Sequence, residues 1–151
     1  MRILMLLLTT IISQATYGQI INSVSPDKTG MIYYSVDSLI QKVEKGERFE
    51  GVVLIADCLI IQKFPEEIRN IPLIKLDKTK KYKTKNLSEN HVLLRLHGLT
   101  IIRDEVTLTI WAYEKKDKRM TFFGDGVYVF YFKYLPETTT YKLTQIKSGF
   151  R

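Results

Sequence analysis

Two alternating stretches decide the fold, VTLTIWAY at residues 106–113 and GVYVFYFKYL at residues 126–135. In both, one set of apolar side chains recurs at every second position, which is the period of a β-strand and not of a helix. Residues 92–97 carry the same pattern upstream, and residues 141–147 carry it downstream. The C-terminal half of the chain is therefore predicted to consist of strands.

Short polar segments separate these strands. They lie at residues 103–105, 115–118 and 136–139. Connections this short can join only neighbouring strands that run in opposite directions, so the sequence predicts an antiparallel meander. Gly124 and Gly126 fall inside the longest strand and allow a bulge or bend there.

The N-terminal half begins with a predicted helix at residues 36–45. Apolar side chains recur there at helical spacing, Ser35 is a suitable N-cap and Gly46 ends the run. The apolar run at residues 52–61 predicts a strand buried on both faces, with Cys58 as a buried, inert thiol. A single helical turn at residues 65–70 and a short edge strand at residues 71–76 follow.

These elements predict one α+β domain over residues 19–151, in which an N-terminal helix packs on a curved antiparallel sheet. The closing hairpin, residues 126–134 followed by residues 141–146, is similar to that of the cystatin-like and NTF2-like rolls. The resemblance implies a roll architecture and transfers no functional residue.

Residues 1–18 have the three-part layout of a secretory signal peptide. Arg2 provides the positive region, an apolar run of about ten residues follows, and small residues such as Thr16 and Gly18 precede the expected cleavage site. The apolar run is shorter than the roughly 20 residues that span a bilayer. We therefore expect a secreted or periplasmic protein with no membrane-spanning segment after cleavage.

The net charge of +7 is concentrated in residues 75–85, which contain six lysines and one aspartate. The segment holds no arginine and one aromatic residue, which makes nucleic acid an unlikely partner. An acidic protein is the favoured partner, and peripheral membrane contact is an alternative. The candidate binding residues in this predicted loop are Lys78, Lys80, Lys81, Tyr82 and Lys83.

The longest strand is aromatic on both faces, and one helix can cover only one of them. The uncovered face needs a second layer, a ligand or another chain, because contiguous exposed apolar patches are unusual on monomers. Tyr128, Phe130 and Phe132 are the predicted partner-binding residues, and a homodimer would also satisfy this requirement.

A different hypothesis assigns a pocket to His91, Arg95, His97 and Glu105. Strand alternation places the first three on one face, and imidazole and carboxylate groups together can transfer protons or bind small ligands. His91 and His97 are six residues apart, roughly 20 Å along a strand, which is too far for one metal ion. We therefore predict no metal site and no cofactor.

The function that these features favour is that of a small exported, non-catalytic binding protein. It would engage another protein through the aromatic face and the lysine-rich loop, as inhibitors, immunity-type proteins and accessory subunits do. The alternative is a ligand-binding or hydrolytic roll built on the four pocket residues. The sequence contains no motif typical of nucleophilic catalysis.

Overall fold

The computed structural model describes residues 30–44, 50–79, 88–116 and 119–149. Residues 1–18 and most of the lysine-rich segment therefore lie outside the described residues. The elements, in chain order, are α1 (Met31–Glu44), β1 (Gly51–Ala56), α2 (Cys58–Ile61), β2 (Glu67–Ile68), β3 (Ile71–Asp77), β4 (His91–Ile102), β5 (Glu105–Lys116), β6 (Arg119–Leu135) and β7 (Thr140–Ser148).

The seven described strands form one mixed sheet in the order β2-β3-β1-β4-β5-β6-β7. Strand β1 runs parallel to both of its neighbours, with Val52 opposite Leu73 of β3 and Val92 of β4. From β4 to β7 each strand is antiparallel to the next. The predicted antiparallel order of these four C-terminal strands is confirmed.

The predicted architecture, a helix on a curved antiparallel roll, is wrong. The chain is mostly sheet, and the sheet is mixed because β1 inserts between β3 and β4. All six residues of β1 are buried, which is typical of a parallel strand inside a sheet. The sequence pattern predicted this burial, but it does not indicate the direction of the neighbouring strands.

The predicted strand at residues 52–61 ends early, at Ala56. Asp57 has extended backbone angles, and its carbonyl oxygen accepts hydrogen bonds from the N–H groups of Ile60 and Ile61, which starts the short helix α2. Cys58 lies at the start of this helix and is exposed. The expectation of a buried thiol is therefore wrong, because the chain leaves the sheet before Cys58.

Helix α1 begins five residues earlier than predicted. Ser35 does not cap it. The Ser35 hydroxyl lies inside the helix and donates to the carbonyl oxygen of Met31, one turn back, at 2.9 Å. Met31 and Ser35 are both fully buried.

Helix α1 covers one face of the sheet, and the main core lies between them. Tyr34 packs edge-on against Phe132 with 6.5 Å between the ring centroids, and the Lys42 ammonium lies 5.1 Å from the centroid of Tyr128. The helix therefore extends over β6. The core side chains beneath it are those of Val52, Leu54, Leu73, Val92, Leu94, Val106, Leu108, Ile110, Ala112, Tyr128, Phe130 and Phe132.

Two contacts attach the segment between β1 and β3 to helix α1. The Tyr33 ring stacks on Phe64 at 6.2 Å, and the Arg69 guanidinium donates to both carboxylate oxygens of Asp37 at 2.6 and 3.2 Å. Phe64 and Ile68 are buried in the main core. This segment therefore extends the cover that α1 provides.

Strand β6 bends where the sequence predicted it. The register with β5 shifts between Trp111 and Tyr113, and Gly124 and Gly126 both adopt positive φ angles, 55° and 78°. A Cβ atom on Gly126 would lie 2.6 Å from the Phe122 ring, so this position requires glycine. Beyond the bend, the first residues of β6 pair with the end of β5.

None of the helices among the described residues is long and apolar enough to cross a membrane.

Two neighbouring residues of β6 provide a test of which face of the sheet lies beneath helix α1. Phe130 is fully buried beneath α1, whereas Tyr131 faces the other way and is half-buried. We expect Phe130→Ala to lower the free energy of unfolding by about 3–5 kcal/mol, as large-to-small core substitutions do. Tyr131→Ala should cost about 1–2 kcal/mol, from strand propensity and a lost cation–π contact. Urea unfolding measures both, and equal losses would contradict the assigned faces.

Tyr128 predicts a loss of stability at alkaline pH. Burial raises the pKa of its hydroxyl above 10.0, more than the hydrogen bond from the Asp125 N–H lowers it. A raised pKa stabilises the fold fully below about pH 10, and this contribution is lost as the pH rises through the folded-state pKa. The unfolding midpoint should fall above pH 10, and less steeply in Tyr128→Phe. Identical slopes for the two proteins would contradict this.

Candidate functional site

The sheet face opposite helix α1, here called the open face, is not covered by any described helix. Directly opposite residues of antiparallel strands share a face, so the register defines its side chains in four rows. The rows, from β4 towards β7, are Arg95, Trp111 and Val127; then Gly98, Thr109, Val129 and Lys147; then Thr100, Thr107, Tyr131 and Gln145; and then Ile102, Glu105, Lys133 and Lys142.

A strip of stacked rings crosses one end of the open face. The His97 ring lies 4.3 Å from Trp111 at an interplanar angle of 12°, and Trp111 lies 6.3 Å from Tyr113. Tyr113 in turn stacks on Phe122 at 4.9 Å. The four rings form a continuous aromatic strip across β4, β5 and β6.

A β-bulge lies at His97. The register between β4 and β5 shifts between Leu96 and Gly98, so His97 is the extra residue. Alternation places His97 on the same face as Arg95, where its ring reaches Trp111, and the bulge adds Gly98 to that face. The alternating pattern therefore predicts the face of His97, but it does not reveal that the residues of β4 after the bulge change faces.

Cationic groups lie close to the rings of the open face. The Lys147 ammonium is 5.1 Å from the centroid of Tyr131. Burial raises the pKa of the Tyr113 hydroxyl, and the positive charge of Arg95 partly opposes that shift. The face therefore combines aromatic surface with positive charge.

A second apolar cluster lies at the β1 end of the same face. Val53, Ile55 and Leu93 are buried there, with Leu76, Tyr113 and Met120 packed against them. Met120 reaches this cluster from the part of β6 that precedes the bend. The bent hairpin therefore shelters the outer side chains of β1, and no other described element packs over the rows around Trp111.

The three aromatic residues predicted to bind a partner lie on the other side of the sheet. Tyr128, Phe130 and Phe132 are 4%, 0% and 1% exposed and belong to the core beneath α1. Their assignment as surface residues is corrected, because the helix covers their face. The aromatic residues that remain accessible, which include Trp111 and Tyr131, lie on the opposite face of the sheet.

The predicted lysine-rich loop lies largely outside the described residues. Lys80, Lys81, Tyr82 and Lys83 lie outside the described residues. Lys78 is described, and its ammonium pairs with the Asp57 carboxylate at 2.6 Å. This ion pair joins the end of β3 to the start of helix α2.

The four predicted pocket residues do not form one group. Arg95 and His97 are neighbours on the open face beside Trp111. His91 lies against Gly51, with its Nδ1 atom buried and without a hydrogen-bond partner among the described residues. Glu105 lies at the far end of β5, opposite Ile102 and Lys133. Within residues 30–44, 50–79, 88–116 and 119–149, no three His, Cys, Asp or Glu side chains cluster as metal ligands would.

Sequence reasoning did not single out Trp111 and Tyr131 as site residues. The sequence did contain a sign of their exposure. Thr107 and Thr109, which alternate with buried residues, lie on the same side of the strand as Trp111, and Lys133 lies on the same side as Tyr131. Polar residues at alternate positions indicate the solvent-facing side of a half-buried strand.

The contact between His97 and Trp111 is testable because Trp111 is the only tryptophan. Removing the stacked ring with His97→Ala should increase acrylamide quenching of Trp111 fluorescence and cost about 0.5–1.5 kcal/mol of stability. His91→Ala is the matched control and should leave the quenching unchanged. Equal quenching in both variants would contradict the stacking.

Comparison with known proteins assigns no family to this domain. No protein-family model matches the chain, and none of the curated proteins or solved structures compared with it is significantly similar.

Proposed function

We propose that this protein is a small, non-catalytic binding protein that engages another protein through the open face of its sheet. The observation that carries the proposal is the aromatic strip of His97, Trp111, Tyr113 and Phe122 on a face that no described helix covers. Trp, Tyr and Arg are the residue types that dominate binding energy in protein interfaces, and Arg95 lies directly opposite Trp111.

The shape of the face also supports a protein partner. Four strands contribute to it, so it spans roughly 15 Å across the strands and about 20 Å along them. Apolar side chains on this face are interleaved with polar and charged ones, as is typical of non-obligate protein interfaces. A neighbouring macromolecule can contact all four rows at once, whereas a small ligand would contact one or two.

The setting that we propose is the periplasm or the extracellular medium. This rests on the layout of residues 1–18, with a positive residue, a short apolar run and small residues. Inhibitors, immunity-type proteins and accessory subunits work in such settings. The lysine-rich segment is a second surface in this proposal, supported by its local excess of six lysines over one aspartate.

Site-specific photo-crosslinking in the native host tests the proposal. A photoreactive residue replaces Thr109, at the centre of the open face, or Gln41, which is exposed on helix α1. We expect a discrete crosslinked protein from position 109 and none from position 41. Identical adducts from both positions, or none from position 109, would overturn the assignment of the open face.

The same experiment separates the two proposed surfaces. A variant with Lys78, Lys80, Lys81 and Lys83 changed to Glu carries the crosslinker at position 109. A weaker adduct is expected if the segment contributes to the interface. An adduct of unchanged yield would remove the segment from the proposal and leave the open face in place.

A further inference from the structure

We infer that the partner of the open face is an acidic protein whose carboxylates meet Arg95 and Lys147 on either side of an apolar centre. The inference rests on the proposed function, since it specifies the chemistry of a partner bound at the same face. It adds one line of evidence, which is the distribution of charge over the four rows of the face.

The two cations flank the centre of the face. Arg95 of β4 lies opposite Trp111, and Lys147 of β7 lies opposite Val129 in the adjacent row. Three strand spacings separate β4 from β7, which amounts to roughly 14–15 Å. Between them lie the side chains of Trp111, Val127 and Val129, with Thr109 as the one polar side chain of this centre. An apolar protrusion with an acidic residue on each side would match this layout.

The described residues neutralise only part of the positive charge of the face. Four cations and one acid, Glu105, lie in the four rows. Lys133 lies 3.8 Å from the Asp104 carboxylate, but no described carboxylate lies within ion-pair distance of Arg95, Lys142 or Lys147. Complementary charge on a partner increases the association rate and excludes wrong partners, so this surplus favours an acidic surface.

The stacking within the face leaves fewer ring faces for the bases of a single-stranded nucleic acid. Single-stranded nucleic acids bind to ring faces on which their bases can stack. Here Trp111 already stacks on His97, Tyr113 on Phe122, and the Lys147 ammonium lies over Tyr131. One face of each of these rings is thus occupied within the protein. What remains accessible suits the side-chain contacts of a protein interface.

A second copy of the chain fits the face poorly. A two-fold dimer requires a surface that is complementary to itself. Two open faces brought together would place four cations against four cations, with one acid on each side to compensate. Like charges in contact disfavour such a pairing, which leaves a different, acidic protein as the occupant.

A defined acidic polypeptide provides the probe. A random copolymer of glutamate and tyrosine is titrated into the full-length protein while the fluorescence of Trp111 is recorded. We expect a saturable change whose affinity decreases as salt increases, because the attraction between exposed charges is screened. A copolymer of lysine and tyrosine should give no saturable change.

Two double variants with the same net charge make the test specific. Arg95→Glu with Lys147→Glu reverses the two charges that flank the centre of the open face and should weaken copolymer binding by roughly tenfold, or about 1.4 kcal/mol. Lys42→Glu with Lys63→Glu reverses two exposed charges outside the four rows of the open face and should weaken binding by less than about twofold. Circular dichroism and urea midpoints confirm that both variants fold.

Several outcomes would overturn the inference. They are equal weakening by both double variants, absence of binding to the acidic copolymer, or tighter binding of the lysine copolymer, of heparin or of oligothymidylate. Failure of the inference is distinguishable from failure of the proposed function. A crosslink at position 109 that persists in Arg95→Glu/Lys147→Glu retains the binding face and rejects the acidic partner, whereas no crosslink at position 109 rejects the face itself.

Discussion

The structure depends on one constraint, which is that a sheet has two faces and the described chain has one long helix to cover them. Helix α1 has 14 residues and is therefore about 21 Å long, while seven strands span about 29 Å from edge to edge. The helix lies over β6 and buries the largest core side chains, Phe130 and Phe132, on one side only. This helix does not cover the opposite side of the same strands. The aromatic strip, its cationic neighbours and the bend in β6 all lie on that side or border it.

The bend and the bulge determine which part of the open face stays uncovered. The glycines near the start of β6 let the hairpin end turn so that Met120 packs against the outer side chains of β1. That contact shelters the most apolar part of the face. The ring of His97, the extra residue of the bulge, stacks on Trp111 in the part that the hairpin does not shelter. Both irregularities interrupt the sheet ladder, and both shape the same surface, as bulges near functional sites commonly do.

The sequence predicts the parts of the fold that depend on contacts between residues close in the chain. It does not predict the parts that depend on contacts between distant segments. The strands from β4 to β7 follow one another through short turns, so alternation and turn residues predicted them correctly. The parallel insertion of β1 depends on pairing with β3 and β4, and nothing in the residues of β1 specifies the direction of a distant neighbour. The early end of β1 had a local signal in Asp57, but the apolar residues on both sides of it suggested a longer strand. The choice of face for Phe130 depends on where the helix packs, which is a tertiary property.

The division of β5 and β6 into a side that α1 seals and an accessible opposite side is the claim on which the proposed function depends. Thiol labelling at two adjacent positions of β5 tests it most directly, in a Cys58→Ser background so that the native exposed thiol does not react. Leu108 is fully buried beneath α1, and Thr109 is its neighbour on the open face. A cysteine at position 109 should react with iodoacetamide far faster than global unfolding allows, whereas a cysteine at position 108 should be protected through global unfolding. Equal protection of both positions would mean that the open face is covered, and equal reactivity would mean that α1 does not seal the core.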